Sequence, residues 1–174
     1  GIFGEREAEL MLRYLSQDLF DGRVSLTAEE QIQYDKACLR LVNHEPLQYI
    51  TGKAYFRDIV LHVGPGVLIP RPETEELVDW VIQYAQNRKI RHILDIGTGS
   101  GCIALSIKKS LPYVKITAID KSTDAIAIAA QNANDLGLEI ELIECDFLDP
   151  AQREKLPECD LIVSNPPYIG RDEE

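Results

Sequence analysis

The chain predicts an α/β protein in which a small helical module precedes a parallel, doubly wound sheet, and three observations carry that prediction. Apolar runs Ile93-Leu94, Ile116 to Ile119, Ile140 to Ile143 and Leu161 to Val163 recur about every 20 to 25 residues, the length of one strand, one helix and a turn. The stretches between the first three, Cys102 to Leu111 and Ser122 to Leu136, have helical composition. Ahead of Ile90 that rhythm is missing, and apolar residues fall at helical spacing instead. A strand–helix–strand alternation whose crossovers must be right-handed closes into a parallel sheet.

From Gly4 to Phe20, Ala8, Met11, Leu12, Leu15 and Leu19 lie on one helical face. Thr27 with Glu30 forms a capping box that opens a second helix carrying Ile32, Cys38, Leu39 and Val42. Pro46 suits the first turn of a short third helix, which Gly52 can end. Tyr55 to Val63 reads as extended, and Gly64-Pro65-Gly66 marks a tight reversal before Val67-Leu68-Ile69, so a β-hairpin is expected as a connector. Another helix begins at Pro72, with Glu73, Glu75 and Glu76 at its positive end and Arg88 and Lys89 at its negative end. Its core stripe is Leu77, Val78, Val81, Ile82 and Ala85. In the sheet region, Ser122 caps the helix that Gly137 closes.

Ligands of doubly wound sheets bind at the carboxyl ends of the strands, so the residues there are the candidates. The first strand ends in Asp95-Ile-Gly97-Thr98-Gly99-Ser100-Gly101. Glycines at alternate positions let the backbone turn sharply and approach a ligand, while the following helix N-terminus offers unpaired N–H groups. The second strand ends in Asp120, a carboxylate able to accept both hydroxyls of a ribose. The dinucleotide fingerprint is not met, because its last place is held by Cys102 and the third glycine comes early, at 101. That spacing favours a nucleoside cofactor without a pyrophosphate. The third strand ends in Asp146-Phe147, which can hold a purine by stacking and by accepting from its amine, or can be a solvent-facing acid beside a core aromatic.

The fourth strand ends in Asn165-Pro166-Pro167-Tyr168. Two prolines stop the sheet, and Pro166 holds Asn165 extended. The outcome is a rigid shelf: a planar N–H₂ group can donate to the Asn165 side-chain oxygen and the Pro166 carbonyl while its plane stacks on Tyr168. Arg71, Glu73 and Thr74 sit where the chain enters the sheet region, and they suit either a helix start or contact with a ligand.

Eighteen basic against 29 acidic residues give a net charge of −11, opposite to what phosphate-gripping surfaces need. The basic pairs Arg88/Lys89 and Lys108/Lys109 read as helix ends. Cys38, Cys102, Cys145 and Cys159 have no metal-ligand spacing and the three histidines are scattered, so no metal site is expected and the thiols read as reduced. With no apolar run near the roughly 20 residues of a membrane helix and no signal pattern at the start, the chain reads as soluble, membrane-free and cytoplasmic.

The three strand-end motifs together, Asp95-x-Gly97-x-Gly99-x-Gly101, Asp120 and Asn165-Pro-Pro-Tyr168, resemble the Rossmann-like class I S-adenosylmethionine-dependent methyltransferases that modify a planar nitrogen. Glu45-Pro-Leu-Gln-Tyr-Ile-Thr-Gly52 and Leu68-Ile-Pro-Arg-Pro-Glu-Thr74, ahead of that core, narrow the resemblance to the release factor glutamine methyltransferases, the HemK or PrmC family. What it implies is S-adenosyl-L-methionine as cofactor and N5-methylation of the glutamine amide in the Gly-Gly-Gln loop of class I peptide chain release factors, with no nucleic-acid partner. Residues 1–52 would be a helical substrate-recognition domain, 53–70 the hairpin connector and 71–174 the first part of the methyltransferase domain. Asp95, Gly97, Thr98, Gly99, Ser100 and Gly101 would hold the methionine and ribose, Asp120 the ribose hydroxyls, Asp146 and Phe147 the adenine. Asn165, Pro166, Pro167 and Tyr168 would hold the substrate amide, with Asn165 also facing the cofactor.

Competing readings are an adenine-N6 methyltransferase of DNA or RNA, whose shelf would hold an exocyclic amine in the same way, a nicotinamide-binding oxidoreductase, and a non-catalytic cofactor-binding fragment. The last arises because Leu161 to Val163 has the pattern of an interior strand covered on both faces. The resemblance implies three more strands after it. The sheet is therefore expected to be truncated after its fourth strand, and the fragment alone to be inactive.

Overall fold

Three helices open the chain: α1 (Glu5–Phe20), α2 (Ala28–Val42) and α3 (Leu47–Thr51). A computed structural model of the protein describes residues 4–23 and 25–166 and divides the chain into two units, Gly1–Lys53 and Ala54–Glu174. In the first unit, α2 starts on the expected capping box: Thr27 Oγ1 accepts from the Glu30 amide at 3.2 Å, and the Glu30 carboxylate accepts from the Thr27 amide at 2.8 Å. Gly52, at φ +71°, ends α3 in the left-handed conformation that glycine adopts without strain. Leu15, Ala37, Leu41 and Ile50 form the core of this unit, with Met11, Leu19, Tyr34, Cys38 and Leu47 against it. Leu12, Ile32, Leu39 and Val42, read from the sequence as part of the apolar stripes, are exposed. α2 buries Ala37 and Leu41 instead, a four-residue step along one face. The sequence offers two apolar faces on this helix, and packing selects the one with the small alanine.

The hairpin β1 (Lys53–Phe56) and β2 (Ile59–His62) starts on the last residue of the first unit and otherwise belongs to the second. Its reversal is at Arg57 and Asp58, inside the stretch expected to be extended, and not at Gly64-Pro65-Gly66. Gly64 does start a turn, with the Val67 amide on its carbonyl at 3.1 Å, but no strand pair flanks it. Arg57 takes a left-handed φ of +50°, held by its amide on the Glu75 carboxylate at 2.9 Å and its guanidinium on Asp79. Those anchors lie 18 and 22 residues away, which is why local sequence did not signal the turn. Phe56, Ile59 and Leu61 enter the main core of the unit.

α4 (Pro72–Gln86) follows, burying Thr74, Val78, Val81 and Ala85; it ends at Gln86, so Arg88 and Lys89, expected at its negative end, lie past it. Then come β3 (His92–Ile96), α5 (Cys102–Ser110), β4 (Lys115–Asp120), α6 (Thr123–Leu136), β5 (Glu141–Glu144), the short α7 (Pro150–Arg153) and β6 (Leu161–Ser164). α7, capped by Asp149, was not read from the sequence; four residues leave no periodicity. The sheet order is β5-β4-β3-β6, and every pair is parallel. One core cluster gathers Val78, Ile93, Ile103, Leu105, Ile107 and Ile116 among others. A second gathers Leu94, Ile119 and Cys145 with Phe147 and Leu156 against it. Consecutive residues Ile93 and Leu94 thus feed different clusters, as a sheet covered on both faces requires. Ile162, expected to be covered, is 53% exposed on β6, the outermost strand among the described residues.

Strand order fixes where the chemistry sits. From β3 the chain steps to β4 and β5 on one side, and β6 then returns to the other side of β3. The gap between β3 and β6 is the topological switch point, where doubly wound sheets open a crevice at their carboxyl ends.

Candidate functional site

Register brings the two most informative motifs together. Ile96 pairs with Ser164 across β3 and β6, and the Ser164 hydroxyl donates to the Ile96 carbonyl at 2.8 Å. The next residue on each strand is Gly97 on one side and Asn165 on the other, so the glycine turn and the shelf leave the sheet side by side.

The turn is held from below and from one side. The amides of Gly97 and Thr98 both donate to the Ile119 carbonyl at 2.9 Å. The Gly99 amide donates to Asp120 Oδ2 at 3.0 Å, and the Ser122 amide to Asp120 Oδ1 at 3.0 Å. Asp120 is half-buried; each of its oxygens keeps a second acceptor direction for a ligand. Asp95 is fully buried and receives the Thr98 hydroxyl at 2.7 Å. Burial pushes its carboxyl up to about 6; the Thr98 hydroxyl and the Ala104 amide pull the other way, and the Asp120 charge adds to the rise. Asn132, also buried, clamps the far end of the turn: its Nδ2 donates to the carbonyls of Ser100 at 2.8 Å and His62 at 3.0 Å, and its Oδ1 accepts from the His62 amide at 2.6 Å. Cys102, at the helix start, is an inert thiol, raised to about 12 by burial and by Asp95.

The three glycines differ in what they face. Gly97 and Gly99 have φ of +73° and +55°, and a side chain at either would project into open space. Gly101, at φ +81°, is turned inward, where a methyl group would meet Leu105 at 3.0 Å and Ala129 at 3.4 Å. Backbone at 97 and 99 is therefore what a ligand can reach, while Gly101 serves close packing. Thr98 and Ser100 point their side chains inward and are buried.

On the shelf, Asn165 Nδ2 donates to the Thr74 hydroxyl at 2.9 Å. Two adjoining clefts meet there. One, of about 430 Å³, is lined by Arg71, Glu73, Thr74, Leu77 and Asn165. The other, narrower, runs from Leu68 through Arg71 and Thr74 to Gly97, Gly99 and Asn165. The segment around Arg71 to Thr74, left open between two readings of the sequence, is thus a wall of the site. Pro166 is exposed beside Asn165; Pro167 and Tyr168 lie outside the described residues. Asp146 is engaged locally, its Oδ1 accepting from the Leu148 amide at 2.9 Å. Phe147 is half-buried against the second core cluster, with the Arg153 guanidinium 5.6 Å from its ring centre. Both sit at the carboxyl edge, next to Asp120, whose carbonyl accepts from the Cys145 amide at 2.8 Å, but neither lines the two clefts.

An extended, amine-bearing cofactor fits this arrangement. The open cradle above Gly97 and Gly99 would be filled by any Cβ, and buried Asp95 Oδ1 and Ser100 Oγ have no hydrogen-bond partner among the described residues. Among those residues no group of three or more His, Cys, Asp and Glu could hold a metal ion, no helix is long and apolar enough to cross a membrane, and the four cysteines are free.

Residues 78–173, over half of the chain, match the family described as methyltransferase small domain. The chain belongs to that methyltransferase family. Ahead of the match, residues 5–52 correspond to the PrmC N-terminal domain. Curated relatives named release factor glutamine methyltransferase include those of Koribacter versatilis, 46% identical over 83% of this chain and 51% of its own length, and Bacteroides thetaiotaomicron, 43% identical over 94% and 58%. The relative from Thermodesulfovibrio yellowstonii is 41% identical over 98% of this chain and 63% of its own. This methyltransferase-family chain therefore spans between half and two thirds of the length of these relatives. Among solved structures, the Thermus thermophilus 16S rRNA N2 G1207 methyltransferase in complex with AdoMet and guanosine superposes with a TM-score of 0.55 at 20% identity, over 67% of this chain and 32% of that one. The Pyrococcus abyssi tRNA (uracil-54, C5)-methyltransferase gives 0.53 at 17% identity, over 66% and 28%. These likenesses show the class I methyltransferase fold.

Proposed function

We propose that this chain is the substrate-recognising and cofactor-holding part of a release factor glutamine methyltransferase, acting in the cytoplasm on the side-chain amide of the glutamine in a Gly-Gly-Gln loop. The observation that supports this most is the Ile96–Ser164 register, which sets the open glycine turn beside Asn165. The names of the relatives and the match of residues 5–52 support a release factor as the substrate. The net charge of −11 favours a protein over a polyanion.

S-adenosylmethionine, when bound, supplies an electrophilic methyl group on a sulfonium sulfur. The backbone at Gly97 and Gly99 would line its methionine and ribose, on a turn whose shape Asp95, Thr98, Ser100 and Gly101 maintain. Asp120 would accept from the ribose hydroxyls, and Asp146 and Phe147 would border the adenine. The substrate side is the shelf. An amide nitrogen is a weak nucleophile because its lone pair is delocalised into the carbonyl. Asn165 Oδ1 and the Pro166 carbonyl accept its two hydrogens, which fixes the plane of the nitrogen and stabilises the positive charge that grows there. Pro167 and Tyr168, which lie outside the described residues, would complete the shelf as the sequence motif implies. The surplus proton then leaves to water, so no strong base is needed, and alignment does most of the work.

The test is Asn165→Ala in the natural full-length gene product, assayed with release factor and labelled S-adenosylmethionine. Turnover falls by about 10²-fold, the cost of one preorganised transition-state hydrogen bond, while cofactor affinity is kept. Turnover equal to the parent would refute the assignment.

A further inference from the structure

Asn132 lies within α6, 1% exposed, and its three hydrogen bonds all go to backbone groups of other segments. Resting on the cofactor placement proposed above, we infer that Asn132 is a positioning residue for the cofactor. It holds the glycine turn in one fixed relation to the segment that leads to the other wall of the narrower cleft, so that S-adenosylmethionine meets a preformed site.

The orientation of this carboxamide is decided by its partners. The His62 N–H can only donate, and the carbonyls of His62 and Ser100 can only accept, so Oδ1 faces the first and Nδ2 the other two. Towards His62 the side chain exchanges two hydrogen bonds, at 2.6 and 3.0 Å, as a paired residue of an antiparallel strand does. Its other amide hydrogen goes to the Ser100 carbonyl at 2.8 Å. The Gly101 amide of that same peptide donates to the Thr98 carbonyl at 2.9 Å, so the planar Ser100–Gly101 unit is held from both sides. Without the Asn132 donor, a carbonyl of buried Ser100 loses its partner, and the rotation of the peptide that relieves it distorts the turn. The other wall starts from His62. His62 Nε2 lies 3.0 Å from Asp135 on α6, and four residues on, a methyl group at Gly66 would lie 3.2 Å from the Asp124 Cβ. The segment after β2 therefore runs along α6, and Leu68, Ile69 and Pro70 then line the cleft together with Gly97 and Gly99.

The experiment uses N132A and N132D in the natural full-length gene product, with V114A for comparison. Val114 is fully buried in the main core just ahead of β4, at the amino edge of the sheet, so its truncation lowers stability away from both clefts. Below the melting transition of every variant, calorimetry gives the dissociation constant for S-adenosylmethionine, and steady-state assays give KM for cofactor and for release factor. N132A should bind S-adenosylmethionine about tenfold more weakly, the equivalent of one net hydrogen bond. KM for the cofactor should rise in step, and KM for release factor should not change. N132D keeps an acceptor for the His62 amide and loses both donated bonds, so it should show the same loss, and it carries the test if alanine does not fold. V114A should bind the cofactor as the parent does. Parent-like cofactor affinity in either Asn132 variant, an equal loss in V114A, or an equal rise in the release factor KM overturns the inference. Parent-like cofactor binding by Gly97→Ala overturns the placement of the cofactor over the turn instead, so the two failures are distinguishable.

Discussion

Placing a methyl group on each glycine of the turn in separate variants separates ligand contact from folding. All three glycines have positive φ, +73° at 97, +55° at 99 and +81° at 101, and an L-residue held there costs about 1–2 kcal/mol. At positions 97 and 99 that is the whole cost to the empty protein, because the new Cβ meets nothing within 4 Å. At 101 the Cβ lands 3.0 Å from Leu105 and 3.4 Å from Ala129, and crowding a packed interior adds about 1–3 kcal/mol. Thermal melts without cofactor should therefore place G101A lowest. G97A and G99A should fall by only about 2–8 °C, at 2–4 °C per kcal/mol for a chain of this size. Titration calorimetry with S-adenosylmethionine should reverse the order. G97A and G99A put a methyl group into the space above the turn and lose at least about tenfold in affinity, as expected when an ill-fitting group costs 1.4 kcal/mol or more. A G97A protein that binds S-adenosylmethionine as the parent does would refute the placement of the cofactor over this turn.

Other outcomes follow from single contacts. Asp120→Asn should weaken S-adenosylmethionine binding measurably by calorimetry, since one of the two oxygens that hold Gly99 and Ser122, and that would face the ribose on the proposed reading, becomes a donor; an unchanged dissociation constant would count against the proposed ribose contact. Asn132→Ala removes three hydrogen bonds made by a buried side chain to backbone groups of His62 and Ser100, and denaturant melts should show a loss of about 3 kcal/mol. Asp95 has a folded pKa of about 6 against an ordinary 3.8, so between those values the folded state holds the extra proton, and the stabilisation this gives is lost as pH rises from about 4 to about 6. Denaturant midpoints of the parent should fall relative to those of Asp95→Asn across that window, and parallel curves would contradict the burial argument.

What was legible in the sequence was whatever local chemistry decides. Apolar runs located all four strands of the parallel sheet, and Thr27, Ser122, Gly52 and Gly137 marked helix ends because caps act within one turn. The glycine turn and Asn165 could be read as strand-end residues, since Gly and Pro interrupt a strand wherever they stand. Long-range anchoring was illegible. Arg57 takes its left-handed turn because Glu75 and Asp79 hold it, Asn132 finds the glycine turn through a contact 32 residues away, and Thr74 meets Asn165 only once β6 has crossed to the far side of β3. The exposed Leu39 and Ile32 show the same limit in the helical unit, where two apolar faces compete on α2 and only packing chooses.

The most direct test is to incubate the natural full-length gene product with S-adenosylmethionine and a purified class I release factor, then locate the methyl group by tandem mass spectrometry. One methyl group on the side-chain nitrogen of the Gly-Gly-Gln glutamine is the predicted result. An unmodified loop, with label found instead on nucleic acid or on no substrate at all, would contradict the account.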